Sequence, residues 1–328
     1  MKTIISFCLM LCSVLLVAQK KLTFEKLSDM SNEAFAFGYS ASDQDIFALT
    51  GGDDVSKYTT FLQTYDSRFD FWMATPIKDL PLMNYSSAAY MEAYDGLLIL
   101  GGTQPYGSSV ALVDKIRMLN LEDQTISILG PLPEPAKNMG LAIEGSKAYF
   151  FGGSKSMFRN SLGSVSYECS NKLFVYDLKV GHLEMLPDMP QAMETKGGIA
   201  NGKLYTFGGF DGNARSDVWQ YDIEARSWTK LPSLEKPVSA YALAQYEHYF
   251  ILVGDYYDAN QLIVYNTETH AAEYFKMNVA GRHMGASVIG SDLYIYGGVN
   301  GQLQQPNGFV KSELYKIGVR ELIKSLEQ

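Results

Sequence analysis

Cysteine is nearly missing from this chain of 328 residues, which has only Cys8, Cys12 and Cys169. Histidine is almost as scarce, with His182, His248, His270 and His283. Together they supply no Cys/His cluster of the kind that holds structural zinc. Positive charge is in deficit, with 27 Lys and Arg against 36 Asp and Glu and a net charge of −9. Nucleic acid and anionic membrane surfaces both require a positive field, so neither is expected as a partner. No apolar run reaches the roughly 18–20 residues needed to cross a bilayer as a helix.

The longest apolar run, Ile4 to Val17, follows a single charge at Lys2 and ends in Ala18 and Gln19. A basic start, an apolar stretch and a small residue at the end are the marks of a secretory leader. We expect residues 1–18 to be a signal peptide cleaved after Ala18, giving a secreted or periplasmic protein with no membrane insertion after cleavage. A lipoprotein would use Cys12, which lies too early, inside the apolar run. Without the leader only Cys169 remains, so no intrachain disulfide can form. Packing and sheet hydrogen bonds then have to hold the fold, and residues 19–328 are expected to form one domain.

What is present is a repeat. An apolar strand ending in glycine recurs in DIFALTGG, LLILGG, KAYFFGG, KLYTFGG and DLYIYGG, with a degenerate copy, YFILVGD, that keeps only Gly254. Aligning Gly254 with the second glycines gives marks at 52, 102, 153, 209, 254 and 298, at intervals of 44 to 56 residues. A second apolar strand follows each mark: LQTYD, IRMLN, LFVYD, VWQYD, LIVYN and ELYKI. Seven residues beyond its Tyr position stands another apolar or aromatic residue, as in Tyr65 to Trp72 and Tyr221 to Trp228. Four short alternating strands per period of this length are the signature of propeller blades.

The diglycine, Tyr and Trp resemble the kelch motif, and the resemblance covers essentially the whole mature chain. It implies an all-β, six-bladed kelch-type β-propeller. The last blade lacks a fourth strand at the C-terminus. Phe24–Leu27 aligns with Trp228–Leu231, so residues 22–28 are expected to complete that blade and close the ring. The glycines and rings then serve packing between blades.

Function is sought where the repeat varies. From each Tyr position to the next glycine mark the gap is 33 to 37 residues, whereas from the mark to the following Tyr position it runs from 11 to 23. The variation therefore lies between strands two and three, whose loops share a face with the loops joining strand four to the next strand one. Loops that packing does not constrain commonly carry binding residues. On this face the candidate ligand-binding residues are Asp53, Tyr106, Arg159, Glu194, Lys196, Arg215, Tyr256, Arg282 and His283. Aromatic rings beside Asp, Asn and Arg suit a carbohydrate or a protein ligand.

Copper chemistry of the galactose-oxidase kind needs two histidines, and only His283 lies on this face, so no metal site is expected. No glycine-rich helix start follows a strand, so no nucleotide or other cofactor is expected. The segment Gly209–Asp217 is similar to a loop of the bacterial N-acetylneuraminate epimerases, the sialic-acid mutarotases. That resemblance implies an alternative role as a mutarotase acting on an acidic sugar, with Arg215 at the family's Arg position. The family's Glu position falls on Gly209, leaving Asp211 or Glu194 to supply the carboxylate and His283 as a candidate acid–base group. Arg215 could equally pair with Asp217.

Overall fold

A computed structural model describes residues 20–54, 57–58, 60–107, 109–159, 165–301, 308–324 and 326. The expected leader lies outside them. Alternating apolar residues produce short strands that bury side chains on both faces, and such strands assemble here as six antiparallel sheets. Blade one holds Gly38–Ala41, Asp45–Leu49, Phe61–Asp66 and Phe71–Pro76. Blade two holds Ser87–Met91, Gly96–Leu100, Lys115–Asn120 and Ile126–Pro131. Blade three holds Gly140–Glu144, Lys147–Phe151, Leu173–Asp177 and His182–Leu186. Blade four holds Glu194–Ala200, Lys203–Phe210, Ala214–Asp222 and Ser227–Leu231. Blade five holds Ala242–Tyr246, Tyr249–Val253, Gln261–Asn266 and Ala272–Met277. Blade six holds Gly285–Ile289, Asp292–Tyr296 and Leu314–Gly318.

The N-terminal segment closes the ring, over a narrower range than 22–28. Glu25 and Lys26 pair antiparallel with Lys316 and Tyr315 of blade six, and the Leu27 N–H donates to the Leu314 carbonyl at 2.9 Å. Leu22 belongs elsewhere. Lys20–Leu22 runs parallel to Phe275–Met277 on the outer edge of blade five. Phe24, 4% exposed, explains the step between blades, because it buries in the cluster between blades five and six. A short helix, Val319–Ile323, packs into the same cluster.

The core is divided among the six interfaces between neighbouring blades. In blade one, Ile46 and Ala48 face blade six while Phe47 and Leu49 face blade two, as strict alternation requires. Each buried Ile, Phe or Leu of this kind contributes roughly 1.5–3 kcal/mol. Trp72 packs 5.2 Å from Tyr65 in the blade six–blade one cluster, and Trp228 lies 5.1 Å from Tyr221 at the blade three–blade four seam.

Two glycines bear on the site. Gly209 has φ +125°, and a Cβ there would lie 2.1 Å from the Glu194 carbonyl oxygen. Gly254 has φ +71°, and its Cβ would lie 2.2 Å from the carbonyl of Gly281 in the loop to the next blade. That is the environment of the first glycines, such as Gly152 against Met193, so Gly254 aligns with the first glycine of the pair. Asp255 stands where the other blades have the second. This corrects the alignment of the degenerate repeat by one residue.

Candidate functional site

The variable connections between strands two and three are mostly β-ribbons rather than irregular loops. Gly52–Asp54 pairs with Lys57–Tyr58, Thr103–Tyr106 with Ser109–Leu112, Ser154–Arg159 with Val165–Cys169, and Val299–Asn300 with Phe309–Val310. In blade four the two strands simply extend to Phe210 and from Ala214. Blade five has a short turn held by buried Asp255. One of its carboxylate oxygens accepts the Ser239 N–H at 2.6 Å, and the other accepts those of Tyr257 and Asp258 at 2.8 and 3.0 Å.

The loops entering the inner strands bridge to these ribbons at Asn84 with Thr103, Lys137 with Ser154, and Arg282 with Val299. The next residue of each loop turns into the left-handed region: Ala36, Tyr85, Asn138, Ala240 and His283 have φ between 49° and 57°. Their backbones form a chain of hydrogen bonds around the channel mouth. Asn138 N–H donates to Tyr85 O, Tyr85 to Ala36, Ala36 to His283, and His283 to Ala240, at 2.6 to 3.1 Å.

Blade four breaks this pattern. Thr195 stands at the corresponding position and is not among the positive-φ residues. Its strand begins early, at Glu194, with a register shift between Glu194 and Lys196. Thr195 is buried against its own blade, donating from its hydroxyl to Phe207 O at 3.2 Å. Glu194 and Lys196, on either side of it, then line the interior of the ring.

Above this gap lies a cavity of about 320 Å³. Its walls carry the rings of Tyr85, Tyr167, Phe210, Tyr256 and Tyr257, with Lys137, Asn138, Glu194 and His283 among them. Tyr85 meets the His283 imidazole edge-on at 5.4 Å, and Tyr167 meets Phe210 at 4.9 Å. A smaller recess of about 30 Å³, shared by Asn138, Glu194, Lys196, Tyr241 and His283, lies beneath it. Below that runs the central channel, about 330 Å³, lined from all six inner strands.

The electrostatics follow from enclosure. Glu194 accepts a hydrogen bond from the Asn138 side chain at 2.8 Å and lies 3.7 Å from the Lys137 ammonium. Burial raises its carboxyl above the usual value, and Lys137 and Asn138 pull it partly back. Burial lowers the Lys196 ammonium to about 8, with Glu194 acting in the opposite sense. Burial, then the nearby Arg282, Lys196 and Lys137, bring His283 down to about 3. The imidazole is therefore neutral at neutral pH.

Of the sequence candidates, Glu194, Lys196, Tyr256 and His283 gather at the mouth. Arg282 stacks 4.9 Å from the Tyr256 ring and donates to Gly301 O. Arg215 does not join them. It pairs with Asp211 through Nε at 3.0 Å and Nη2 at 2.7 Å, and neither lines the cavity. Asp217, the partner first considered for Arg215, binds Lys230 at 2.6 Å instead. The suggested set of Arg215, Asp211 and His283 is thus split between the rim of blade four and the channel mouth. Tyr106 is 71% exposed on the ribbon of blade two. Asp53 and Arg159 fall in ribbon strands, and their side chains lie outside the described residues.

Sequence reasoning missed Tyr85, Tyr167, Phe210 and Tyr257. Tyr85 was legible in principle, since Asn84-Tyr85 stands in the same register as Lys137-Asn138 and Arg282-His283. Cys169 lies near this site, but burial, followed by the nearby Glu194, pushes its thiol up to about 11, which disfavours the nucleophilic thiolate.

Comparison with known proteins agrees with this architecture. The family model described as the KLHDC2/KLHL20/DRC7 Kelch-repeats domain matches residues 39–256. Kelch-like protein terF of Aspergillus terreus is 22% identical over 249 residues, covering 69% of this chain and 53% of that protein. Kelch domain-containing protein 10 of Homo sapiens is 28% identical over 195 residues, covering 53% of this chain and 43% of that protein. Host cell factor 1 of Rattus norvegicus is 25% identical over 194 residues, covering 53% of this chain and 9% of that protein. The chain thus spans about half the length of the first relative and less of the others. The glycine spacing, the six sheets and the match from blade one into blade five converge, and the chain belongs to the kelch-repeat family which that domain describes.

Proposed function

We propose that this propeller is a binding module whose ligand docks on the face of the ribbons and inner-strand loops, with one group inserted in the channel-mouth cavity. The observation that carries this reading is the cavity itself: five aromatic rings around Lys137, Glu194 and a neutral His283. Apolar walls with a few directional polar groups are what a recognition pocket requires. A protein ligand fits best, because further large apolar side chains are exposed on the ribbons of this face. Tyr257 is 71% exposed at its wall, and Tyr106, Val110 and Phe309 are exposed on the ribbons of the same face. Aromatic anchors around a pocket are typical centres of protein recognition.

The test is site-specific photo-crosslinking from position 257 in the native host, with and without Tyr85→Ala. A defined protein crosslinked by the wild type and lost with Tyr85→Ala supports the reading. No crosslinked partner, together with a blank glycan array, would overturn it.

The second reading is a carbohydrate ligand, with mutarotation as its catalytic form. A volume near 320 Å³ suits a small sugar, and Glu194 and neutral His283 offer an acid and a base to the same recess. Anomer-exchange NMR with N-acetylneuraminate decides the catalytic form. The expected result for an enzyme is acceleration by the wild type that Glu194→Gln abolishes, and no acceleration by the wild type removes that reading. Export is proposed on the leader alone, and N-terminal sequencing of the mature protein should begin at Gln19.

A further inference from the structure

The channel beneath the recognition cavity holds a feature that binding at the mouth does not use. Lys196 is the only charged residue among the described residues that line the channel, whose other polar groups are mainly serines with Tyr39 and Gln245. Among the described residues its Nζ has no hydrogen-bond or ion-pair partner, and it lies 5.2 Å from the face of the Tyr39 ring. The corresponding position is Phe37, Ser86, Met139, Tyr241 and Met284 in the other five blades, so the fold itself does not call for a lysine here. Ser86 and Met139 line the channel from the same position, so the position faces the channel in more than one blade and blade four alone places a charge there. Confining an unpaired ammonium costs free energy, and such lysines serve as amine nucleophiles.

We propose that Lys196 captures a small aldehyde or ketone in the channel as an imine. The Nζ lone pair attacks the carbonyl carbon and forms the C–N bond, and the carbonyl oxygen takes up a proton. The carbinolamine then loses that oxygen as water, with a second proton, and the C=N bond replaces it. The nitrogen releases two protons and the oxygen gains two, so the step needs no oxidant or reductant. Glu194 and His283 share the recess with Lys196 and are placed to deliver and accept those protons. The titratable groups that share the recess or channel with the amine are Glu194, His283, Tyr39 and Tyr241. Burial outweighs Glu194 among them and leaves the ammonium easy to deprotonate.

The inference goes beyond the binding role and is tested without a ligand at the mouth, so failure of one leaves the other standing. The full chain is treated with propanal and cyanoborohydride, and N-propylation is mapped by peptide mass spectrometry. Lys196 should label at least ten-fold faster at pH 7.4 than the exposed Lys78, Lys147 and Lys179 of the same molecule. Its rate should rise through about pH 8. Exposed lysines rise near 10.4. Labelling of Lys196 no faster than the exposed lysines, or with their pH profile, overturns the proposal. The comparison is internal, so it does not depend on a variant folding.

Discussion

The neutral imidazole at the channel mouth makes a quantitative demand on stability. Between pH 7 and 4.5 the unfolded chain protonates His283 at its ordinary value of 6.5, while the folded chain, at about 3, does not. The unfolded state therefore binds the extra proton, and stability must fall as pH falls through this window. Over about two pH units the loss is ~3 kcal/mol, at about 1.4 kcal/mol per unit. Lys196, at about 8, stays charged over this window. Glu194 acts the opposite way, because its raised value lets the folded state take its proton first. The comparison with His283→Asn removes those common contributions, and Asn tolerates the left-handed backbone at this position. Urea unfolding of both proteins at pH 7 and 4.5 measures the difference. The wild type should lose ~3 kcal/mol more than the variant, and its imidazole NMR shifts should not titrate above pH 5. A difference below about 0.5 kcal/mol, or an imidazole midpoint near 6.5, would refute the reasoning.

Further outcomes follow from particular contacts. Trp72→Ala, at the seam of blades six and one, should cost about 3–5 kcal/mol in urea unfolding. Gly209→Ala forces a Cβ against the Glu194 carbonyl at φ +125°, so it should destabilise by at least ~1–3 kcal/mol and weaken any ligand that contacts Glu194. Arg215→Ala breaks a half-exposed ion pair and should change stability by less than about 1 kcal/mol while leaving ligand binding intact. The Cys169 thiol, with its value near 11, should react with iodoacetamide far more slowly at pH 8 than a free cysteine does.

The blade count and the ring closure were legible in the sequence because glycines and rings recur wherever blades crowd together, and each blade meets the same constraints. Gly254 shows the limit of such reading. One missing glycine leaves the alignment free to slip by a residue, and only contact with the Gly281 carbonyl decides it. The face was also legible, since length varies where packing does not constrain it. Leu22 was not, because Phe24 buries in one cluster built by blades five and six, whose strands lie far from it in sequence.

The site itself required the tertiary structure. Arg215 and His283 were equally good candidates in sequence, yet a carboxylate four residues away holds Arg215 at the rim. Nothing local in Glu194-Thr-Lys196 announces that blade four departs from the ring of left-handed residues. The departure exists only relative to the other five blades, once their backbones meet at the mouth. Sequence sets which residues alternate and where glycine is needed, because those constraints are local and repeat. Which side chains converge, and which lose their water, is decided by the closure of six sheets around one axis.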